Sequence, residues 1–581
     1  MDSMPEDSFL ERLKKRKLVQ WALAYLAVGF AVFQSVEVMA EPWGISPTVQ
    51  RAIHLVLLAG LLVTLIIAWY HGERGEQRIK ASEIFLILSV FLLTGLAVRS
   101  VRSTHPEPSL SPVEARRLPR VAVLPCVSSS PSPGEPFPVE GLHGEILLKL
   151  QKISSLVSIG MTSVRQFAET STGTREIAEA LGASYVGECT VQRSNNRIRV
   201  VFRLLNSDGS AEWGDEYEND LTLENVLDIQ IDIARQIASA VGALLTPDEA
   251  SRIQVRPTEN RQAYEEGLRG WIATQEHTRE GYERAIHHFD RAVALDSAYS
   301  RAFVGLGHSY KELSRTGQYP EREGYARVIR ALDRAIDLDP GDGEAFAVLA
   351  STKLVAEWDP AGADTLFQEA LRLSPGSPEV LLQYSQFLTW TGRTDEGIQV
   401  ALQAAENDPL NPLTTLWVAA GYFYANRYQE SIRQISKTME IEPRYLWAHM
   451  YLSHNYVLLG RMEEAAAHAD SVLKISELSG NRQIRTYIAS DLAFSGREET
   501  ARDLLTEALE LFETGQLDAV SVGLIFASLG ETDTAFEWFE KAVDQRNGIA
   551  FYLPMYGRTF LSGIRSDPRF EALVQRLGIV H

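Results

Sequence analysis

The side chains that could do chemistry are few and poorly spaced for it. His287 and His288 are adjacent, so on a helix they point to different faces and cannot share a metal ion. His449 and His454, five apart, diverge likewise. Asp337, Asp339, Asp342, Gly343 and Glu344 include the residue types of a calcium loop, but at the wrong spacing. Gly305-Leu306-Gly307 lacks the third glycine of a dinucleotide fingerprint. No G-x-x-x-x-G-K-[ST], H-E-x-x-H, C-x-x-C or G-x-S-x-G occurs. Phosphoryl transfer, acyl transfer and metal-assisted hydrolysis therefore lack residues to carry them. The expectation is a protein that is not an enzyme and uses no metal or cofactor. Lys+Arg number 56 and Asp+Glu 76, a net charge of −20, which disfavours nucleic acid as a partner. Cys126 and Cys189 are too few for a disulfide scaffold or a four-cysteine zinc site. They fit two buried thiols or one disulfide, the free thiols being the simpler expectation.

What remains is recognition, and the elements that would display it come in a definite order. At 581 residues the chain is too long for one core. Three apolar runs stand first, at 18–40, 52–70 and 82–98, each close to the length that crosses the hydrocarbon layer. Residues 1–103 are thus expected to be a membrane anchor of three transmembrane helices. Val38-Met39-Ala40 resembles a cleavage site, but the first run is longer than a signal-peptide core. Glu37 and His54 lie near span ends and read as interfacial. Arg12, Lys14, Lys15, Arg16, Lys17, Arg74, Arg78 and Lys80 flank one side, against Arg51, Arg99 and Arg102 on the other. That bias puts the amino terminus inside and the rest of the chain outside, periplasmic if the membrane is a bacterial inner membrane. Residues 104–119, with Pro106, Pro108, Pro112 and Pro119, read as an extended linker.

Residues 120–246 mix strand and helix signals. Arg120–Pro125 is a short buried strand, and Glu140–Ile153 has apolar residues at helical spacing. Leu156–Ile159 follows as a strand and Ile177–Leu181 as a helix closed by Gly182. Ser184–Gln192, Arg197–Leu205 and Glu212–Tyr217 form a meander turned at Asn195-Asn196 and Asp208-Gly209. Leu223–Leu244 is a long amphipathic helix. The order β-α-β-α-β-β-β-α predicts an α+β domain with helices on one sheet. RVAVLP at Arg120–Pro125, EGLHGEI at Glu140–Ile146, REIAEALGASYVGE at Arg175–Glu188 and IQIDIARQIA at Ile229–Ala238 resemble the TolB-like amino-terminal domain of bacterial membrane proteins with tetratricopeptide repeats. Lys14–Phe30 resembles that family's membrane segment. Cys126 and Cys189 depart from it, standing where phenylalanine and glycine are usual. Some relatives carry a cyclase or DNA-binding domain at the amino end, for which residues 1–17 are too short.

Residues 260–545 are periodic. Small residues recur at Ala285, Val328, Ala363, Gly397, Ser431, Ala465, Ala501 and Ala535, at intervals of 43, 35, 34, 34, 34, 36 and 34. Packing residues follow four and seven positions later, as Phe289 and Ala292 do in the first unit. Pro340, Pro375, Pro409 and Pro443 close four units, and an insertion around Gly317–Glu321 stretches the second. Phe303-x-x-Leu306-Gly307-x-x-Tyr310 matches the tetratricopeptide pattern. About eight such repeats predict an all-α solenoid of roughly one superhelical turn, closed by a cap over 546–581. By that resemblance the first helix of each unit lines the concave face. The register places Trp390, Phe423, Tyr424, Trp447, His454 and Phe494 there, from four successive units, as a partner-binding strip. Gln386, Ala420, His454 and Ser490 replace the pattern that grips a carboxyl terminus, so an apolar or helical segment of a protein or peptide is the expected ligand. The reading is a membrane-anchored interaction scaffold. Its alternative is a transmembrane sensor with a cytoplasmic partner at the amino-terminal tail.

Overall fold

The structure is a computed structural model that describes residues 118–577 except 129–138, 169, 171, 195, 480–481, 558–560 and 562. The three spans, nearly all of the linker, and Glu37 and His54 lie outside the described residues. Among the described residues no helix is long and apolar enough to cross a membrane.

The α+β domain carries a mixed sheet, β1 (Arg120–Val123), β2 (Val127–Ser128), β3 (Val157–Ser158), β4 (Tyr185–Ser194), β5 (Arg197–Asn206) and β6 (Ala211–Asp220). Its order is β3-β1-β4-β5-β6, with β2 on β4; β1 runs parallel to β3 and β4, and β4, β5 and β6 form an antiparallel meander. The helices Val139–Gln151 and Leu223–Ala240 supply Leu142, Ile146, Leu150, Val226, Ile233 and Ile237 to the core against Val191, Val200, Phe202 and Leu204. On the opposite face of the meander Arg197 and Arg199 pair with Glu218 and Glu216 at 3.2 and 2.5 Å, a solvated surface. The expected elements are present, with two additions too short for a periodicity signal, β2 and the helix Met161–Arg165. The last helix ends at Ala240 rather than Leu244, because Gly242 turns the chain at φ 69°.

The expectation of free thiols is corrected. Cys126 and Cys189 form a disulfide with their Cα atoms 4.5 Å apart. Parallel pairing of β1 and β2 with β4 brings the two positions side by side, a juxtaposition that a sequence separation of 63 conceals.

The solenoid begins at Arg261 and, among the described residues, contains eight helical pairs, from Arg261–Thr274 with Arg279–Leu295 to Ala519–Ser528 with Thr532–Asp544. In unit seven the first helix is broken into Arg482–Tyr487 and Ala489–Phe494. All eight small positions and the two packing positions that follow each are buried. The helices preceding Pro340, Pro375, Pro409 and Pro443 end two residues earlier, at Leu338, Leu373, Asn407 and Ile441. Within units, Gly392, Gly460, Gly496 and Gly530 turn the chain at φ between 72° and 85°, and Asn426 does so in unit five.

The domain sits on the rim made by the junctions between units. Gly160 N–H donates to the Asn407 carbonyl at 2.8 Å. The Ser163 amide and hydroxyl donate to Asp408 Oδ1 at 2.9 and 2.5 Å, and the Leu410 amide donates to Ser163 Oγ at 2.8 Å. A Cβ on Gly160 would stand 2.4 Å from Asp408 Cγ, so this close approach requires glycine. Tyr264, in the first repeat helix, is fully buried within the domain's core.

Candidate functional site

First helices that stack side by side share one inner surface, and the six aromatic and histidine positions must be judged by what they meet there. Phe423 meets none of the surface. It is fully enclosed, with its ring centroid 5.0, 5.6 and 5.9 Å from those of Tyr424, Tyr451 and Tyr428. His454 is also buried, and its Nδ1 donates to Asp491 Oδ2 at 2.6 Å, tying unit six to unit seven. These two are corrected from binding residues to packing residues. Each helix crosses its neighbour at an angle, so positions the register assigns to the groove rotate into the joint between units.

Trp390 and Tyr424 are half-buried and do face inward, but they are covered. After the last repeat, Gly548–Tyr552 forms a 3-10 turn and Leu553–Tyr556 one helical turn. This segment touches first helices of units three, four and five at once, as only a segment inside the curve can. The Tyr552 ring lies 4.7 Å from Trp390, whose other neighbour is Trp417 at 5.5 Å. Phe551, Tyr552 and Met555 share a cluster with Ala347, Leu354, Tyr384 and Phe387, and Tyr424 and Tyr556 pack on its edge. Trp447 is half-buried and Phe494 is 38% exposed. The structure therefore does not bring the six into one open strip. Of the groove positions noted alongside them, Ala420 and Ser490 are buried too.

This segment falls within the cap expected over 546–581. Its signal was available as nine successive uncharged residues, GIAFYLPMY. Beyond this segment Leu561, Phe570, Leu573 and Leu577 cluster with Phe536 and Phe539 of the last repeat.

The inner surface of the early units is polar. Lys311 Nζ donates to Ser351 Oγ at 2.8 Å and Gln383 Oε1 at 3.0 Å, linking units two, three and four. Burial lowers the pKa of this ammonium to about 8. Arg315 pairs with Glu312 at 2.8 Å yet keeps half of its side chain exposed. Arg301 lies 4.6 Å over the Trp271 ring and pairs with Glu344 at 2.7 Å. His308 stands beside Trp271 and Tyr282, its Nδ1 buried without a protein partner, and burial lowers its pKa. These groups offer hydrogen bonds and charge to a chain lying in the curve.

The remaining candidates have structural partners. His288 Nδ1 meets Glu266 at 2.7 Å, whereas His287 is exposed. His449 and His468 approach at 3.0 Å between their Nδ1 atoms. Asp342 accepts the amides of Glu344 and Ala345, which makes it a helix cap. Among the described residues no group of three His, Cys, Asp or Glu is placed to hold a metal ion.

The tetratricopeptide repeat model matches residues 354–413, from unit three into unit five. The "Putative adenylate cyclase 3" of Rhizobium meliloti (strain 1021) is 24% identical over 375 residues, covering 63% of this chain and 55% of that protein. The "TPR repeat-containing protein YpiA" of Bacillus subtilis (strain 168) is 25% identical over 181 residues, covering 28% and 42%. The chain thus spans about half the length of the curated relatives it matches. Among solved structures, the human IFIT1 dimer with m7Gppp-AAAA superposes with a TM-score of 0.38 at 15% identity, over 55% of this chain and 77% of that one. With eight helical pairs in register and the family model matching residues 354–413 in the middle of the array, the described chain carries tetratricopeptide repeats.

Proposed function

We propose that this protein is a membrane-anchored scaffold that holds a protein or peptide segment on the inner surface of its solenoid, without catalysis of its own. The observation that carries the reading is the array itself. Eight stacked pairs turn their first helices toward one surface that combines polar groups, Lys311, Gln383 and Arg315, with the accessible aromatics Trp447 and Phe494. Aromatic anchors beside polar groups are what peptide recognition uses.

The anchor rests on the three apolar runs, and a periplasmic location on the basic residues that flank them. The Cys126–Cys189 disulfide favours the oxidising side of a membrane. We read the α+β domain as TolB-like, a reading its order of elements supports, and assign it the task of holding the rim of units two to five in fixed curvature. The test is capture of a partner from membranes by the full-length protein. Trp447→Ala with Phe494→Ala is expected to reduce capture about tenfold, as loss of interface anchors does. Unchanged capture would rule the inner surface out.

A further inference from the structure

The segment after the last repeat lies where a ligand is expected. Gly548–Tyr556 contains no charged residue in a chain that is 23% charged, and it covers Trp390 and Tyr424. Its entrance is clasped. Glu321, at the end of the insertion in unit two, accepts the Gly548 amide at 2.8 Å and Asn547 Nδ2 at 2.9 Å. Arg546 donates to the Glu357 carbonyl at 3.3 Å, and its guanidinium lies 4.9 Å from the Trp358 ring.

The clasp is built from unfavourable parts. Trp358 holds φ of 57° at the end of a first helix, where other units place Gly392, Gly460, Gly496 or Gly530, and Arg546 holds φ of 51° just past the last repeat helix. The indole Nε1 of Trp358 is buried without a hydrogen-bond partner. Burial and the facing carboxylate of Asp518 raise the pKa of Glu321 to about 7, so this contact also buries a poorly compensated charge. A permanent cap would gain from glycine at the Trp358 turn. Strain and desolvation concentrated at the hinge of an apolar segment favour an element that opens.

We propose that Gly548–Tyr556 is an internal occupant of the binding surface, and that an uncharged aromatic segment of a partner protein binds units three to five by displacing it. The proposal rests on the reading that the inner surface binds a protein segment. The composition of the occupant defines the chemistry of its competitor: aromatic and aliphatic side chains on one or two helical turns, without charge.

The test adds a labelled synthetic peptide of sequence 546–557 in trans to the full-length protein and follows fluorescence anisotropy. Removing the clasp with Glu321→Ala and Asn547→Ala is expected to tighten peptide binding about tenfold, because apparent affinity scales with the open fraction. Trp390→Ala in that background is expected to abolish the gain. Equal affinity with and without the clasp, or a gain that survives Trp390→Ala, overturns the proposal. Should the clasp variant lose its helical circular dichroism, hydrogen exchange on the unmodified protein decides instead. Amides of 549–556 exchanging faster than those of the flanking helix Thr532–Asp544 support local opening, and exchange only with global unfolding overturns it. Neither measurement uses the natural partner, so failure here is separable from failure of the Trp447→Ala and Phe494→Ala capture experiment.

Discussion

The α+β domain and the solenoid solve the same problem, burying apolar surface, with opposite use of the chain. In the domain β1 pairs with β3 and β4, about 40 and 65 residues away, and a disulfide joins positions 63 apart. In the solenoid each small residue packs against helices of its own unit and the next, and the same rule repeats eight times. Where the solenoid departs from this rule, at the Glu321–Gly548 contact spanning 227 residues, its inner surface is closed. Local contacts therefore build the array, and a few distant ones decide what it exposes.

The largest effect that would sharpen this contrast is loss of the disulfide. Cys126→Ser with Cys189→Ser releases a 63-residue loop and is expected to cost the domain on the order of 4 kcal/mol by loop-closure entropy. Thermal unfolding should then show an early transition for the domain and an unchanged one for the repeats. A single joint transition would break the distinction.

Acid gives the next effect. His143 is buried, donates its Nε2–H to the Val123 carbonyl at 2.9 Å, and is held by burial at about 4, below its ordinary 6.5. The folded domain excludes this proton, so the stabilisation is complete above pH 6.5 and is lost as pH falls toward 4. Its full size is on the order of 3 kcal/mol. Denaturant midpoints of the domain should fall across this window, and His143→Gln should flatten the dependence. An unchanged slope in that variant would assign the domain's acid sensitivity to other groups; in the repeats, burial and the neighbouring His449 hold His468 too at about 4.

The smallest effect tests whether the regions are coupled at all. Gly160→Ala forces a methyl group against Asp408 and is expected to cost about 1–3 kcal/mol at the rim, as overpacking does. Both regions should keep their secondary structure by circular dichroism while their unfolding transitions separate further. Unaltered transitions would show that the rim contact carries no coupling.

Much of the architecture was legible because it is written locally. Proline two residues past a helix end, glycine at the turn and small residues at 34-residue spacing all act within one helical pair. The candidate site was legible only in part. The register identified the first-helix ends correctly, yet Phe423 and His454 turn into joints, and Trp390 and Tyr424 lie beneath the chain's own carboxyl-terminal segment. Short pieces such as β2 and Met161–Arg165 carry too few residues to show a period.

By itself the sequence determined the order of the regions, the α+β alternation, the repeat register and which side chains of each repeat are buried. Those follow from helix and strand periods, which depend on neighbours a few residues away. Only the tertiary structure decided that Cys126 reaches Cys189, that Asp408 receives Ser163, and that Gly548–Tyr556 fills the curve. Each depends on how small rotations between successive elements accumulate over hundreds of residues, and no local period records that sum.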